Sequence, residues 1–285
     1  MGKTKSRRQR QQAMATALTF EMGDATGAPG PNSLIQVDKV LSEVNHRLYR
    51  QHMTYTARVD LNTDANFGLV EVYALAPTWY VMNSLRESKR VHDDAMKEER
   101  AMAGQARWYD FRIDPNFPGT VTSLRAYGLD SNGAAVPVSI AGSEYVYSTI
   151  ENHAGAQKGF RLLGASSASE YNVFEEYDAM GNVSDSPETP AAGGYDGVRS
   201  AVENENIASL LENGNAPPYN PDTWNVVWVK VGELYQTAGG SSSKSTGFFE
   251  APLGLIYLPN HSATSTNLSV RVKAGKYKGA QAVAL

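Results

Sequence analysis

Oxygen-bearing side chains recur at the spacing of a calcium loop in the stretch DLNTDANFGLVE. A helix–loop–helix calcium site takes oxygen ligands from positions 1, 3, 5 and 12 of its loop. Those positions hold Asp60, Asn62, Asp64 and Glu71. Position 6 requires glycine for a sharp turn but is Ala65, and the flanking residues have a strand pattern. A turn in which Asp and Asn bond to the local backbone explains the same residues, so calcium is the minor alternative.

The patterns of a catalytic or phosphate-binding site are incomplete. In TAGGSSSKST, aligning Lys244 with the lysine of a phosphate-binding loop puts Ala238 and Ser243 where glycines are required. The chain has no cysteine, which excludes thiol nucleophiles, thiolate metal sites and disulfides. Among the five histidines only His46 and His52 stand at a spacing that suits a shared face, and no third ligand accompanies them. We therefore predict no enzymatic function and no cofactor.

Aromatic side chains offer a different chemistry, which is stacking on bases or sugars. The candidates are Trp108, Tyr109, Phe111, Trp224 and Trp228. All five lie inside apolar runs with a strand pattern, and this context favours packing in a core over contact with a ligand.

Positive charge concentrates at the two ends of the chain. The opening MGKTKSRRQR contains five of the 26 basic residues, namely Lys3, Lys5, Arg7, Arg8 and Arg10. A second group follows Glu250, the last acidic residue, and consists of Arg271, Lys273, Lys276 and Lys278. The whole chain carries a net charge of -4, so its middle is acidic. Basic clusters neutralise nucleic-acid phosphates with release of counterions, and we expect both groups to contact nucleic acid.

The N-terminal group belongs to a segment that is separate from the folded body. Residues 1–12 are too polar to bury a core and are predicted to be disordered, and 13–22 suits a short helix or an extended arm. GDATGAPGPN, at 23–32, contains three glycines and two prolines and indicates a hinge. We therefore predict a basic arm and hinge over residues 1–33 and one folded domain over 34–285. Nuclear targeting or simple solubilisation by the arm are open alternatives.

The body has the pattern of β-strands. Apolar and polar residues alternate from Met53 to Leu61, the period of a half-buried strand. The run from Thr223 to Tyr235 is apolar on both faces at first, which predicts a strand covered on two sides. About eight further runs have strand character: Phe67–Leu75, Arg107–Ile113, Thr120–Leu129, Val136–Ile150, Phe160–Leu163, Tyr171–Tyr177, Phe248–Leu258 and Leu268–Val272.

Two segments have helical character. Trp79–Ala103 contains neither glycine nor proline, and opposite charges such as Lys89 and Asp93 stand four apart. We expect His92 to lie on the solvated face of this helix. Val198–Leu211 carries an apolar stripe and is the second. Short strands with only one or two helical insertions favour an all-β fold, an antiparallel eight-stranded jelly-roll sandwich.

The combination of a basic arm, a Gly/Pro hinge, an all-β body with long loops and no catalytic motif resembles the capsid proteins of small icosahedral viruses. The resemblance is greatest to the jelly-roll capsid proteins of small circular single-stranded DNA viruses, circovirus-like ones in particular. MGKTKSRRQR matches their arm in character, and GFFEAPLGLIYLP with LSVRVKAGKYKG resembles the closing strands of such a body. The chain departs from them in its shorter arm and in its isoelectric point of about 5.8.

The resemblance implies a structural role. Copies would assemble into a closed shell, often of sixty subunits, with arms that point inward to the viral genome. The protein would then reside in the virion and, during assembly, in the host nucleus. No run approaches the roughly 18 apolar residues of a membrane-spanning helix, so we expect no membrane partner.

Three alternatives remain open on the residues alone. The low arm charge leaves room for the capsid of a small RNA virus, which shares the jelly roll. A non-assembling β-sandwich that binds carbohydrate or nucleic acid has the same strand pattern. A β-rich hydrolase would assemble its site from residues distant in sequence and would show a concave cluster of titratable side chains.

Overall fold

Strands dominate the part of the chain that a computed structural model describes, which comprises residues 17–21, 32–61, 67–103, 108–117, 121–124, 126–129, 131–137, 145–151, 155–180, 226–236, 242–259 and 267–285. Most strand pairs are antiparallel, and four helices interrupt the strands: α1 (Val37–Asn45), α2 (Trp79–Ala95), α3 (Lys97–Ala103) and α4 (Val173–Ala179). The expectation of a β-rich, antiparallel fold with few helices is confirmed at this level.

The first large sheet, called sheet A, contains five strands that pair only in antiparallel fashion. These are β1 (Ala17–Glu21), β3 (Met53–Leu61), β13 (Phe249–Pro252), β15 (Asn267–Val272) and β18 (Ala282–Ala284). Strand β3 is central, because β13 pairs along one edge and β15 and β18 pair along the other. Its predicted alternation is confirmed: Tyr55, Ala57 and Val59 are fully buried on one face, while Thr56 and Arg58 lie half-exposed on the other.

The second large sheet, called sheet B, has the strand order β12-β11-β4-β14-β2-β5. Its strands are β2 (Ser33–Gln36), β4 (Phe67–Leu75), β5 (Thr122–Ser123), β11 (Trp228–Gln236), β12 (Ser242–Ser243) and β14 (Leu255–Leu258). The expectation that β11 is covered on two sides is confirmed in part. Val231 and Leu234 pack in one hydrophobic core and Trp228 and Val229 pack against a second, although Leu234 is the only buried residue of the strand.

The main hydrophobic core lies between the two sheets. Tyr55 and Val270 of sheet A and Val72, Leu234 and Ile256 of sheet B belong to one buried cluster, each at most 1% exposed. Burying such side chains contributes about 1.5–3 kcal/mol each, which makes this layer the chief source of stability. The two sheets therefore form a β-sandwich.

A second core covers the other face of sheet B. Leu75 and Leu255 pack there with Leu85 of α2, Phe174 of α4 and Phe160. Phe160 lies in a small three-stranded sheet formed by β8 (Thr149–Glu151), β9 (Gln157–Arg161) and β10 (Glu170–Asn172). Two further strand pairs complete the described part: β6 (Tyr127–Leu129) with β7 (Ala135–Pro137), and β16 (Ala274–Gly275) with β17 (Gly279–Ala280).

The helix expected at Trp79–Ala103 is present but is interrupted at Met96, which separates α2 from α3. Lys89 and Asp93 form an ion pair, as their spacing predicted. The expectation that His92 is solvated is wrong, because the residue is 1% exposed and packs against Phe111 and Phe160. The helix predicted at Val198–Leu211 lies outside the described residues.

Two predicted strands are wrong. The run Tyr171–Tyr177 contributes only the end of β10, and from Val173 onward it is helix α4. Asn172 begins this helix, because its side-chain oxygen accepts hydrogen bonds from the N–H groups of Phe174 and Glu175 at 2.9 and 3.0 Å. Within 107–113, residues 108–113 form no strand, although Phe111 and Ile113 are buried.

Consecutive strands cross repeatedly from one sheet to the other, as between β3 and β4 and between β13 and β14. Strand β3 belongs to sheet A and β4 to sheet B, and likewise β13 belongs to sheet A and β14 to sheet B. The crossing from β13 to β14 takes only two residues, Leu253 and Gly254, which have φ values of 57° and 66°. The Gly254 carbonyl also accepts a 2.8 Å hydrogen bond from the Val37 N–H, so this turn fixes the start of α1.

We predict that Gly254→Ala lowers the free energy of unfolding by about 2–3 kcal/mol, because an L-residue at positive φ costs about 1–2 kcal/mol and crowding adds to it. A Cβ at this position would lie 3.2 Å from both the Asp38 nitrogen and the Tyr55 ring. Gly247→Ala is the matched control: it has a φ of 72° but no atom within 4 Å, so it should lose only about 1 kcal/mol. Urea denaturation of both variants measures the difference, and equal losses would contradict the crowding argument.

Candidate nucleic-acid interface

The outward face of sheet A carries a pair of arginines on neighbouring strands. Arg58 of β3 lies directly opposite Arg271 of β15 in the antiparallel register. Both side chains bind the same carboxylate oxygen, Oδ2 of Asp60, at 2.9 Å from Arg58 Nη2 and 3.2 Å from Arg271 Nε. One aspartate thus holds two guanidinium groups that would otherwise repel each other.

The strand period places these three residues on one face. Ala57, Val59 and Leu61 point into the core, so Arg58 and Asp60 must point away from it. Arg271 is half-exposed, and its β15 neighbours Val270 and Val272 are buried. The predicted nucleic-acid contact Arg271 therefore lies on an accessible surface, and the structure adds Arg58, which the sequence alone did not single out.

Two other features extend this surface. Lys273 is exposed just beyond β15, and its backbone N–H donates to the Thr56 carbonyl at 2.9 Å. Ala17 of β1 pairs with Arg271, so the chain that precedes β1 joins the sheet beside the arginine pair. The five basic residues at 3–10 lie outside the described residues. Arg10 is seven residues from Ala17, a covalent reach of at most about 25 Å.

The other two predicted contacts, Lys276 and Lys278, lie apart from this face at the turn between β16 and β17. Lys276 is exposed, whereas Lys278 donates from Nζ to the Leu48 carbonyl. Burial lowers the pKa of Lys278, and the positive charges of Arg47 and Arg50 lower it further. Lys278 is thus engaged within the fold. Arg47 and Arg50 are two further exposed cations, which the sequence alone did not single out.

Asp60 and Glu71, the two predicted calcium ligands that the structure describes, are not brought together. Asp60 lies in sheet A between two arginines, while Glu71 lies in sheet B and binds Lys230 Nζ at 2.6 Å. This hydrogen bond lowers the pKa of Glu71. Asn62 and Asp64 lie outside the described residues. Within the described ranges, no group of three histidine or acidic side chains is placed to hold a metal.

The histidine pair is also separated. His46 ends α1 with a φ of 48° and is exposed, whereas His52 is 6% exposed just before β3. Burial, with smaller contributions from nearby cations, lowers the pKa of His52 to about 4, so its ring is neutral near pH 7. The two rings do not form a shared ligand site on one strand.

The aromatic residues divide between core and surface. Phe111 is buried as expected, whereas Trp108 is 59% exposed and Tyr109 is half-buried. Trp228 is half-buried and packs against Phe117 with ring centroids 5.0 Å apart. Trp224 lies outside the described residues. Core packing is therefore confirmed for Phe111 but is wrong for Trp108.

Several titratable groups of the described residues lie around the buried Asp38 at the start of α1. Asp38 is 1% exposed, and burial raises its pKa to about 7, although Arg112 opposes the shift. Asp110, whose pKa burial also raises, contributes repulsion, and the Arg112 guanidinium carbon lies 3.4 Å from the centre of the Tyr145 ring. The near-complete burial of Asp38 and Arg112 shields this cluster from a polymeric substrate.

An open cleft of about 280 Å³ lies between α2 and α4. Three aromatic rings line it, those of Phe160, Tyr171 and Tyr177, together with the carboxylates of Glu87 and Glu176. No histidine lines this cleft, and Glu87 forms an ion pair with Arg90. The lining suits an apolar or sugar ligand better than a reaction.

No helix in the described part of the chain is long and apolar enough to cross a membrane.

We predict different outcomes for two lysines of the C-terminal group. Lys273→Gln removes an exposed charge and should reduce the slope of log K against log salt by about 1, with little change in stability. Lys278→Gln removes a charge whose Nζ is engaged with the Leu48 carbonyl within the fold, so it should leave the slope nearly unchanged. Fluorescence anisotropy with a labelled oligonucleotide measures both slopes, and urea denaturation checks that each variant is folded. A larger change in slope for Lys278→Gln than for Lys273→Gln would refute the assignment of Lys273 to the interface.

We also predict a pH-dependent effect of Asp38→Asn. Because the carboxyl has a folded-state pKa of about 7 against 3.8 for an ordinary aspartate, the fold retains a proton that the unfolded chain releases. The wild type should therefore lose on the order of a few kcal/mol as pH rises from about 4 to 7, and the variant should not. Thermal melts across this range measure the difference. The exposed Asp94→Asn is the control, and parallel curves for wild type and Asp38→Asn would contradict the assignment.

No protein-family model, no curated protein and no solved structure matches this chain. The outward face of sheet A is an accessible cationic surface, where Arg58, Arg271 and Lys273 lie next to the strand that continues from the basic arm.

Proposed function

We propose that this protein is a viral coat protein that assembles into a closed icosahedral shell around a nucleic-acid genome. The observation that carries the proposal is the order in which the strands of the sandwich pair. Strand β3 pairs with β15 and β4 pairs with β14, so an early pair of strands lies beside a late pair in reverse order. Winding a long antiparallel hairpin around a sandwich produces this nesting, and the winding is characteristic of an eight-stranded jelly roll.

Exposed apolar side chains support subunit contacts. Trp79 at the start of α2 is 64% exposed, and Met180 after α4 is 48% exposed. Both lie next to Tyr177, whose ring centroid is 6.5 Å from that of Trp79 and which lines the cleft with Met180. Adjacent apolar groups of this size on a soluble surface mark interaction sites more often than isolated ones do.

The distribution of charge supports a limited role for the arm in packaging the genome. Sixty arms with five positive charges each supply on the order of 300 charges, whereas a genome carries about one negative charge per nucleotide. A genome of about one thousand nucleotides would leave most phosphates to metal ions, polyamines or other cationic residues. The arm and the adjacent face of sheet A therefore serve as nucleating contacts with the genome, which we expect to be single-stranded DNA by resemblance.

The second candidate function is a carbohydrate-binding module that does not assemble. The cleft between α2 and α4 favours it, because aromatic rings beside carboxylates suit the faces and hydroxyls of a sugar. This candidate predicts a monomer that binds an oligosaccharide, and that retains its affinity after residues 1–12 are removed.

We predict that the purified full-length protein sediments as a particle of megadalton mass and appears as uniform shells in negative-stain electron micrographs. The absorbance ratio at 260 and 280 nm, before and after nuclease, reports packaged nucleic acid. Monomers or small oligomers alone, across several salt and pH conditions, would refute the coat-protein proposal.

Deletion of residues 2–12 separates assembly from packaging in the same assay. Shells should persist because the sandwich is intact, while the nucleic-acid content falls because five cations are lost. Replacing the five basic residues by glutamine is the matched control for length. Unchanged nucleic-acid content in both variants would remove the arm from the packaging role and leave the shell.

A further inference from the structure

One exposed aromatic ring lies in line with the arginine pair of sheet A. Phe249 pairs with Ala57, and the preceding residue, Phe248, lies beside Arg58 on the outward face, where the Arg58 guanidinium stands over its ring. Arg58 in turn lies opposite Arg271. Phe248, Arg58 and Arg271 thus form a row across three segments of chain that are spaced by about 4.8 Å, called here the Phe248 row.

The core does not account for the position of Phe248. Phe249 packs against the main core, whereas Phe248 is 51% exposed on the opposite side of the chain. The Arg58 guanidinium lies 5.3 Å from the centre of the Phe248 ring, a cation–π contact that covers one face of the ring. The exposure that remains leaves the rest of the ring open to a planar ligand.

The surroundings hold the ring in place before any ligand binds. Asp60 accepts hydrogen bonds from Nε and Nη2 of Arg58 at 3.1 and 2.9 Å, which fixes the guanidinium over the ring. The hydroxyl of Thr246 accepts from the Val59 N–H at 3.1 Å and so attaches the segment before Phe248 to β3. A preorganised site loses less entropy when its ligand binds.

The chemistry of the row identifies the ligand. An open aromatic ring stacks on a nucleobase whatever its sequence, and nearby cations hold the phosphates on either side. Bases inside a duplex are already stacked on their neighbours, so only an unpaired strand offers a base to the ring.

We propose that the Phe248 row is a binding site for single-stranded nucleic acid, in which one base stacks on Phe248 while Arg271 and Lys273 contact the adjoining phosphates. This proposal rests on the proposed function and makes it more specific: the body of the subunit, in addition to its arm, contacts the packaged strand. It also distinguishes a single-stranded from a double-stranded cargo.

Three labelled probes separate stacking from charge in fluorescence anisotropy with the unassembled full-length chain. They are a twenty-nucleotide thymidine strand, an abasic strand of equal length and a duplex of equal length. Phe248→Ala should bind the thymidine strand roughly five- to a hundredfold more weakly and the abasic strand with unchanged affinity. Val283→Ala is the matched control, since Val283 is a 61% exposed apolar residue on the same sheet.

Phe248→Trp gives a second readout that does not depend on the alanine variant. It should bind like wild type, and its added tryptophan fluorescence should be quenched by the thymidine strand but not by the abasic strand. Phe248→Leu, which keeps an apolar side chain without a ring, should behave like Phe248→Ala. Melting curves confirm that each variant is folded.

The outcomes separate this proposal from the proposed function. Equal affinity of wild type and Phe248→Ala for the thymidine strand, or equal losses on the thymidine and abasic strands, would overturn stacking but leave the coat protein intact. Preference for the duplex over the single strand would also overturn the site. If wild type forms no particle and binds none of the three probes, the coat-protein proposal fails and the site fails with it.

Discussion

The pairing of β3 on both of its edges is the constraint on which the rest of the structure depends. Each residue of this strand serves one of two environments: Tyr55, Ala57 and Val59 fill the core, while Arg58 and Asp60 form the outward surface. A shift of the register by one residue would exchange the two sets. It would bury an arginine and an aspartate at a cost of several kcal/mol and expose the valine. The core therefore fixes the position of the cations, and the surface cannot rearrange while the sandwich is intact.

Asp60 determines what the cationic surface can do. It lies between two arginines and compensates one of their two charges, so the pair has a net charge of only about +1. The exposed Lys273 adds one positive charge, and the exposed Glu250, which pairs with Thr56 on the same face, adds one negative charge. Such a surface attracts phosphates weakly and depends on additional contacts for affinity. An aromatic ring that is held by one of the same arginines supplies a contact of another kind, and it is insensitive to salt.

The sequence predicted the parts of this fold that follow from local pattern. The alternation from Met53 to Leu61 and the bounds Phe67–Leu75 of β4 were recoverable because each strand has one face in the core. Helix α4 was missed although Asn172 and Glu175 have the spacing of a helix start, because the aromatic residues of the segment favoured a strand. The row across sheet A could not be predicted, since it joins Arg58 to residues about 190 and 213 positions away through strand register alone.

The charge of the body limits where nucleic acid can bind. Without the five arm charges, the net charge of -4 becomes -9, so most of the surface repels phosphate. The arm continues into β1, and β1 pairs beside Arg271, so the arm joins the body at the cationic face. For a coat protein, as proposed, this arrangement determines which side of the subunit faces the genome. Sheet A must face the genome, because an inward-facing acidic surface would oppose packaging with every subunit added. The helices that cover sheet B then belong to the subunit contacts or the exterior, where their exposed Trp79 and Met180 can be buried by a neighbouring copy.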